Sequence, residues 1–167
     1  IHDRRQRQMC IRDSLNIVDQ AVLLTHETAQ SKVRWSDRDV NIVIDCTGVE
    51  FNRSSAAQHL GGSVSRVMLS QPASTDVDGT IIWGLNDSTL TPDMSVISAG
   101  SCTSNALMPV LSVIDEAFGI RAGIVTTIHS AMNDQPVIDA YHHTDLRKTR
   151  AAFNSVIPVE TGLAQGV

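Results

Sequence analysis

Aromatic side chains make up only 4% of this 167-residue chain, so any core it builds must be packed by aliphatics. Val, Ile, Leu, Ala and Met are plentiful instead, a composition suited to an α/β sheet. Cysteine is also scarce. The three present, Cys10, Cys46 and Cys102, have neither metal-ligand nor disulfide-framework spacing, which suits a reducing, cytoplasmic setting. No apolar run is long enough to cross a membrane, and the basic start lacks the apolar stretch of a signal peptide. Positive charge is the minority sign, with 13 Lys and Arg against 18 Asp and Glu. The resulting net charge of −5 argues against a nucleic-acid surface and leaves small anionic ligands to local basic groups. The length corresponds to about one domain's worth of buried core.

Residues 1–14 differ from everything after them. They carry four of the thirteen basic residues and almost no apolar periodicity. Such a segment reads as a foreign or disordered leader, the alternative being a basic arm for an anionic partner. Cys10 therefore receives no role.

From there the pattern is that of alternating strands and helices. Val40 to Cys46 is a β-branched apolar run ending at Thr47-Gly48, which predicts a buried parallel strand closed by a turn. Ser54 to Leu60 predicts a short helix stopped by Gly61-Gly62. Further strands are expected over Val64 to Ser70, Thr80 to Leu85 and Met94 to Ala99. This alternation implies a doubly wound α/β sheet, with ligands beyond the carboxyl ends of the strands, where Thr47-Gly48, Ser70 and Cys102 fall. No internal repeat or low-complexity linker interrupts it.

The richest segment is Ser98 to Asn105, Ser-Ala-Gly-Ser-Cys-Thr-Ser-Asn. It sets Cys102 after a strand and before an amphipathic helix in which Leu107, Val110, Leu111, Ile114 and Phe118 share one face, with Gly119 as the stop. A thiol at a helix N-terminus sits where unpaired N–H groups and the macrodipole favour negative charge, so its thiolate fraction rises. A second run, Gly123 to Ile128, predicts a strand delivering His129 back to the thiol as its base. The plainer alternative is an inert, buried cysteine, and Cys46 fits that description.

The strings Ser101-Cys102-Thr103-Ser104-Asn105 and Thr126-Thr127-Ile128-His129-Ser130 closely resemble the phosphorylating aldehyde dehydrogenases of the glyceraldehyde-3-phosphate dehydrogenase family. The resemblance continues through Ala131 to Gln135, Ile138 to His142, Asp145 to Ala152 and Ile157 to Gly162. These middle segments are most similar to the erythrose-4-phosphate dehydrogenase branch. Similarity spans roughly Asp39 to Val167, weakens upstream to about Leu15 and is absent before that.

The resemblance implies a partial doubly wound (Rossmann-like) NAD-binding domain over residues 15–101, followed by the start of an α+β catalytic domain over 102–167. The opening Gly-x-Gly-x-x-Gly turn and the downstream half of the catalytic domain have no counterpart here, so the chain reads as a fragment, with little activity expected of it alone. The implied activity is NAD-dependent oxidation of erythrose 4-phosphate to 4-phosphoerythronate, placed in vitamin B6 synthesis, by a homotetramer when complete. Glyceraldehyde 3-phosphate is the alternative substrate. A Cys–His hydrolase or acyltransferase, or a non-catalytic binding fragment, are the readings from other classes.

Residue by residue, Cys102 would be the nucleophile and His129 the base. Ser101 and Thr103 would line a substrate anion site, with helix capping as their alternative role. Thr161-Gly162 matches a second phosphate-contacting pair, or an ordinary turn. Arg147, Lys148 and Arg150 fall in the loop that covers nicotinamide and substrate, where one would meet a phosphate. Thr47, Gly48 and Ser70 match cofactor-side positions, with turn chemistry as the alternative. Met132 stands where glyceraldehyde-3-phosphate enzymes usually present a Thr, a departure shared with the erythrose-4-phosphate branch. His142 and His143 read as a polar loop, and no metal site is expected.

Overall fold

The computed structural model describes residues 14–17, 20–27, 29–49, 52–132, 135–141, 145–153, 155–159, 161 and 163. The basic segment up to residue 13, Cys10, His142, His143 and Gly162 lie outside the described residues. The chain divides into two compact units, one of residues 1–79 and 92–98, the other of residues 80–91 and 99–167.

In the first unit, Ser14, grouped by composition with the basic segment, opens strand β1 (Ser14–Ile17), which pairs antiparallel with β2 (Gln20–Leu23). The main sheet contains β3 (Ile42–Asp45), β4 (Arg66–Leu69), β5 (Gly79–Thr80) and β6 (Val96–Ser98) in the order β3–β4–β6–β5. The β3–β4 and β4–β6 pairs are parallel, as expected. Between β3 and β4 lies helix α1 (Arg53–Ala56), capped by Asn52, whose side chain accepts the Ser55 N–H. A 3-10 turn over Ala57–His59 continues it as far as the expected Gly61-Gly62 stop.

Strand register explains where the core sits. Val43, Val67 and Val96 stand side by side on one sheet face, and Asp45, Leu69 and Ser98 form the next row. All six are buried because the side-chain period of two carries each strand's inward residues to the same face. Trp35, Ala56, Leu60, Ala73 and Val77 pack against this cluster. Burying each of the large aliphatics contributes about 1.5–3 kcal/mol.

The expectation of a strand buried on both faces is corrected at β3, where Ile42 and Ile44 are 53% and 61% exposed. Parallel strands are covered twice only when helices pack on both sides, and a second helical layer is not among the described residues. Cys46, read as a buried inert thiol, is likewise exposed, because it follows the last paired residue of β3.

Two polar arrangements hold this unit together. Asp78 accepts the N–H groups of Ser95 and Val96 at 2.8 and 2.9 Å and pairs with Arg53, tying α1 to the start of β6. Trp35 Nε1 donates to Nδ1 of the buried His59 at 3.2 Å, and His59 Nε2 lies 3.8 Å from Asp45 Oδ2.

The second unit begins with a correction. Of the strand expected over Thr80 to Leu85, only Thr80 is paired, as the end of β5; residues 83–86 turn instead. Asn86 decides this by accepting the Ile82 N–H at 2.7 Å and donating to the Thr80 carbonyl at 2.9 Å, a local alternative to a ladder. Helix α2 (Cys102–Phe118) then forms as predicted and stops at Gly119, whose φ of 73° lies in the left-handed region that favours glycine. Pro109 sits inside it, removing one intrahelical N–H. The apolar stripe is only partly covered. Leu107 and Leu111 are half-buried, whereas Val110, Ile114 and Phe118 are exposed. Gly123 to Ile128 is not a strand, and Ile124 and Ile128 are exposed. Its β-branched residues favour extension, but a strand needs a neighbour to complete its hydrogen bonds, and none of the described strands pairs with it.

Candidate functional site in the second unit

The site is built on the first turn of α2. Ser101 is the N-cap: its backbone is extended, its Oγ accepts the Ser104 N–H at 2.9 Å, and its carbonyl accepts the Asn105 N–H at 2.9 Å. Cys102 is therefore the first helical residue, with its thiol exposed at the positive end of a 17-residue helix.

His129 reaches the thiol without a strand to carry it. The helix is about 25 Å long at 1.5 Å per residue. The ten residues that follow Gly119, as far as His129, span up to about 33 Å when extended, enough to retrace it. His129 Nε2 lies 3.5 Å from Cys102 Sγ. Its Nδ1 stands 2.7 Å from the Ser130 carbonyl, an acceptor only, so Nδ1 carries a proton and Nε2 is left to exchange one with the thiol. Thr103 Oγ1 adds a third group, 3.9 Å from the sulfur.

Each partner supports the charged form of the other. The Cys102 thiol is held below its ordinary value, first by His129, then by the Thr103 hydroxyl, with slight burial opposing. His129 is raised, first by the Ser130 carbonyl and then by Cys102. The pair is thus disposed toward thiolate and imidazolium, the state in which sulfur is nucleophilic and the imidazole can return a proton.

The other expected site residues are placed less closely. Arg147 is a fork on Asp145, with Nε and Nη2 at 3.0 and 3.1 Å from its two carboxylate oxygens. Arg150 pairs with Asp139 at 2.9 Å. Lys148 is half-buried in the 3-10 turn Leu146–Thr149, and its N–H donates to the Asp145 carbonyl at 3.0 Å. Thr161 Oγ1 accepts the Leu163 N–H at 3.2 Å, a turn contact.

In the first unit, Thr47 gives both its N–H and its hydroxyl to Asp45 Oδ1, at 2.8 and 2.7 Å, and Gly48 follows with φ of 72°. Ser70 is exposed and donates its N–H to the Asp45 carbonyl at 2.9 Å. Thr47 lines a cavity of about 560 Å³ at the carboxyl end of β3, together with Val33, Trp35, Val49 and His59. The structure thus brings Cys102, His129, Thr103 and Ser101 together, and places Thr47, Gly48 and Ser70 around the end of β3. Among the described residues, no group of three or more His, Cys, Asp or Glu side chains is arranged to hold a metal. No helix among them is long and apolar enough to cross a membrane.

Sequence reasoning gave no role to Ser130, whose carbonyl selects the imidazole tautomer, or to Asn105. The first is invisible in sequence because a backbone carbonyl carries no residue signature. The second stood inside the quoted motif as a polar residue at an early helix position, which was the available signal.

Residues 101–167, from the cap of α2 onward, match the family model for the C-terminal domain of glyceraldehyde 3-phosphate dehydrogenase, a domain of dehydrogenases.

Proposed function

We propose that the chain carries the nucleophile and base of an NAD-dependent dehydrogenase of phosphorylated aldehydes. The observation that carries this is the 3.5 Å approach of Cys102 Sγ to His129 Nε2, inside the segment that matches the family model. The thiolate of Cys102 adds to the aldehyde carbon, and the resulting alkoxide takes the Nε2 proton of the His129 imidazolium, forming a thiohemiacetal and leaving the imidazole neutral. The developing oxyanion is supported by first-turn donors of α2, the Cys102 N–H among them. His129 Nε2 removes the hydroxyl proton as the carbon is oxidised to a thioester on Cys102. Inorganic phosphate or water then releases the acyl group, with sulfur as a good leaving group and His129 as the proton donor.

NAD, when bound, supplies the hydride acceptor for the oxidation. Thr47 and Gly48 would form part of its seat. A Cβ added to Gly48 would meet nothing within 4 Å, so the turn beside the cavity is open to a ligand.

For the substrate, the reading is erythrose 4-phosphate in preference to glyceraldehyde 3-phosphate. Met132 cannot donate the hydrogen bond that a Thr at that position would offer to a phosphate. NADH absorbance with each aldehyde, on a subunit completed by the flanking segments that the resemblance implies, tests both levels. Met132→Thr should shift the kcat/KM ratio about fivefold toward glyceraldehyde 3-phosphate, for a hydrogen bond of about 1 kcal/mol. No hydride transfer to NAD with either aldehyde, together with cleavage of an activated ester at Cys102, would replace the dehydrogenase reading by a hydrolase.

A further inference from the structure

We infer that Asn105 is a positioning residue for the Cys102 thiolate, a role that rests on the thiol–imidazole reading above. Asn105 Nδ2 donates to the carbonyls of Ala99 and Ser101, at 2.7 and 2.8 Å. Those carbonyls flank Gly100, whose φ of 69° makes the turn into the helix. One amide from the first helical turn thereby clasps both sides of the bend that delivers Cys102. The bend has little room to relax: a Cβ on Gly100 would lie 2.9 Å from Ile82 Cδ1 and 3.6 Å from Asn105 Nδ2.

Helix formation does not explain this residue. Asn is a weaker helix former than Ala, and Asn105 is exposed, so it fills no core space. Its backbone N–H already bonds to the Ser101 carbonyl. What the side chain adds is the hold on Ala99 and Ser101. The distance from Cys102 Sγ to His129 Nε2 depends on that hold, because the thiol sits on the turn that Asn105 clasps while His129 stands 27 residues further along the chain, so a shift of the turn changes their separation.

The test is the pH dependence of iodoacetamide alkylation at Cys102, read by peptide mapping, in the parent chain, Asn105→Ala and Asn105→Asp. An ionised Asp offers no donor, so both variants open the clasp. Cys102 should react about tenfold more slowly at pH 7 in Asn105→Ala, its titration moving toward that of an ordinary thiol at about pH 8.5. Cys46 should react as before. In a His129→Ala background, adding Asn105→Ala should slow Cys102 less than twofold further, since the two residues act through one contact.

A purely helical role predicts the opposite: Ala should leave helicity equal or higher and Cys102 unchanged. A parent-like alkylation profile in Asn105→Ala, or loss of its helical circular dichroism, would overturn the inference. An ordinary thiol profile in the parent chain itself would remove the thiol–imidazole reading and the inference with it, so the two failures are told apart.

Discussion

His129 presents Nε2 to Cys102 Sγ at 3.5 Å because the Ser130 carbonyl, 2.7 Å from Nδ1, keeps the ring's other proton. The tautomer is therefore set by the residue next in sequence, and the thiol meets the basic nitrogen. That relationship, more than exposure, is the feature that predicts reactivity at Cys102.

Cys46 and Cys102 are both exposed, so access does not distinguish them. The imidazole contact is what marks Cys102: His129 Nε2 stands 3.5 Å from its sulfur and helps hold that thiol below its ordinary value. Limiting iodoacetamide at pH 7, followed by peptide mapping, should find Cys102 labelled at least several-fold faster than Cys46. Equal labelling of the two would remove the activated-thiol reading.

Replacing His129 by Ala should move the Cys102 titration upward, because the lowered thiol and the raised imidazole are linked through one contact. The thiolate fraction at neutral pH would fall in the variant, slowing alkylation at pH 7 by up to about tenfold for each pH step by which the titration rises. The two profiles should converge well above pH 9, where both thiols are ionised. Parallel profiles across the whole range would mean that the imidazole does not support the thiolate.

Asp78 should govern part of the acid stability of the first unit. Its carboxyl is held below the ordinary value, first by the Val96 N–H, with burial opposing and the Ser95 N–H and Arg53 adding to the depression. A group depressed by folding contributes stability above its unfolded value of about 3.9 and loses that contribution as pH falls through the folded value. Urea unfolding should show stability falling below about pH 4. Asp78→Asn should be roughly 1.5–3 kcal/mol less stable at neutral pH, with a flatter acid limb. Asp76 and Asp145 are lowered as well, so the difference between parent and variant, not the parent curve alone, isolates Asp78.

The one-sided sheet makes an asymmetric prediction for neighbouring strands. Leu69 is fully buried, and Leu69→Ala should cost about 2–5 kcal/mol of unfolding free energy. Ile44 is 61% exposed on the other face, and Ile44→Ala should stay within about 0.5 kcal/mol. Similar losses at both positions, measured by urea unfolding, would show that the outer face is covered in solution.

What the sequence by itself determined is local. The apolar runs around Val43, Val67 and Val96 become strands, Ser101 caps a helix that Gly119 ends, and Cys102 stands at its first position, all from residues within a turn or two of one another. The tertiary structure decided the rest. Ile124 to Ile128 has the composition of a strand, yet pairing depends on a neighbour that composition does not name. The exposure of Cys46, Ile42 and Ile44 depends on which face of the sheet is covered. Asn86 turns the chain where β-branched residues suggested extension, by competing locally for backbone donors and acceptors. The approach of His129 to Cys102 combines both kinds of information. The residue types were legible, but distance and tautomer are products of chain reach and of a backbone carbonyl, neither of which a residue pattern records.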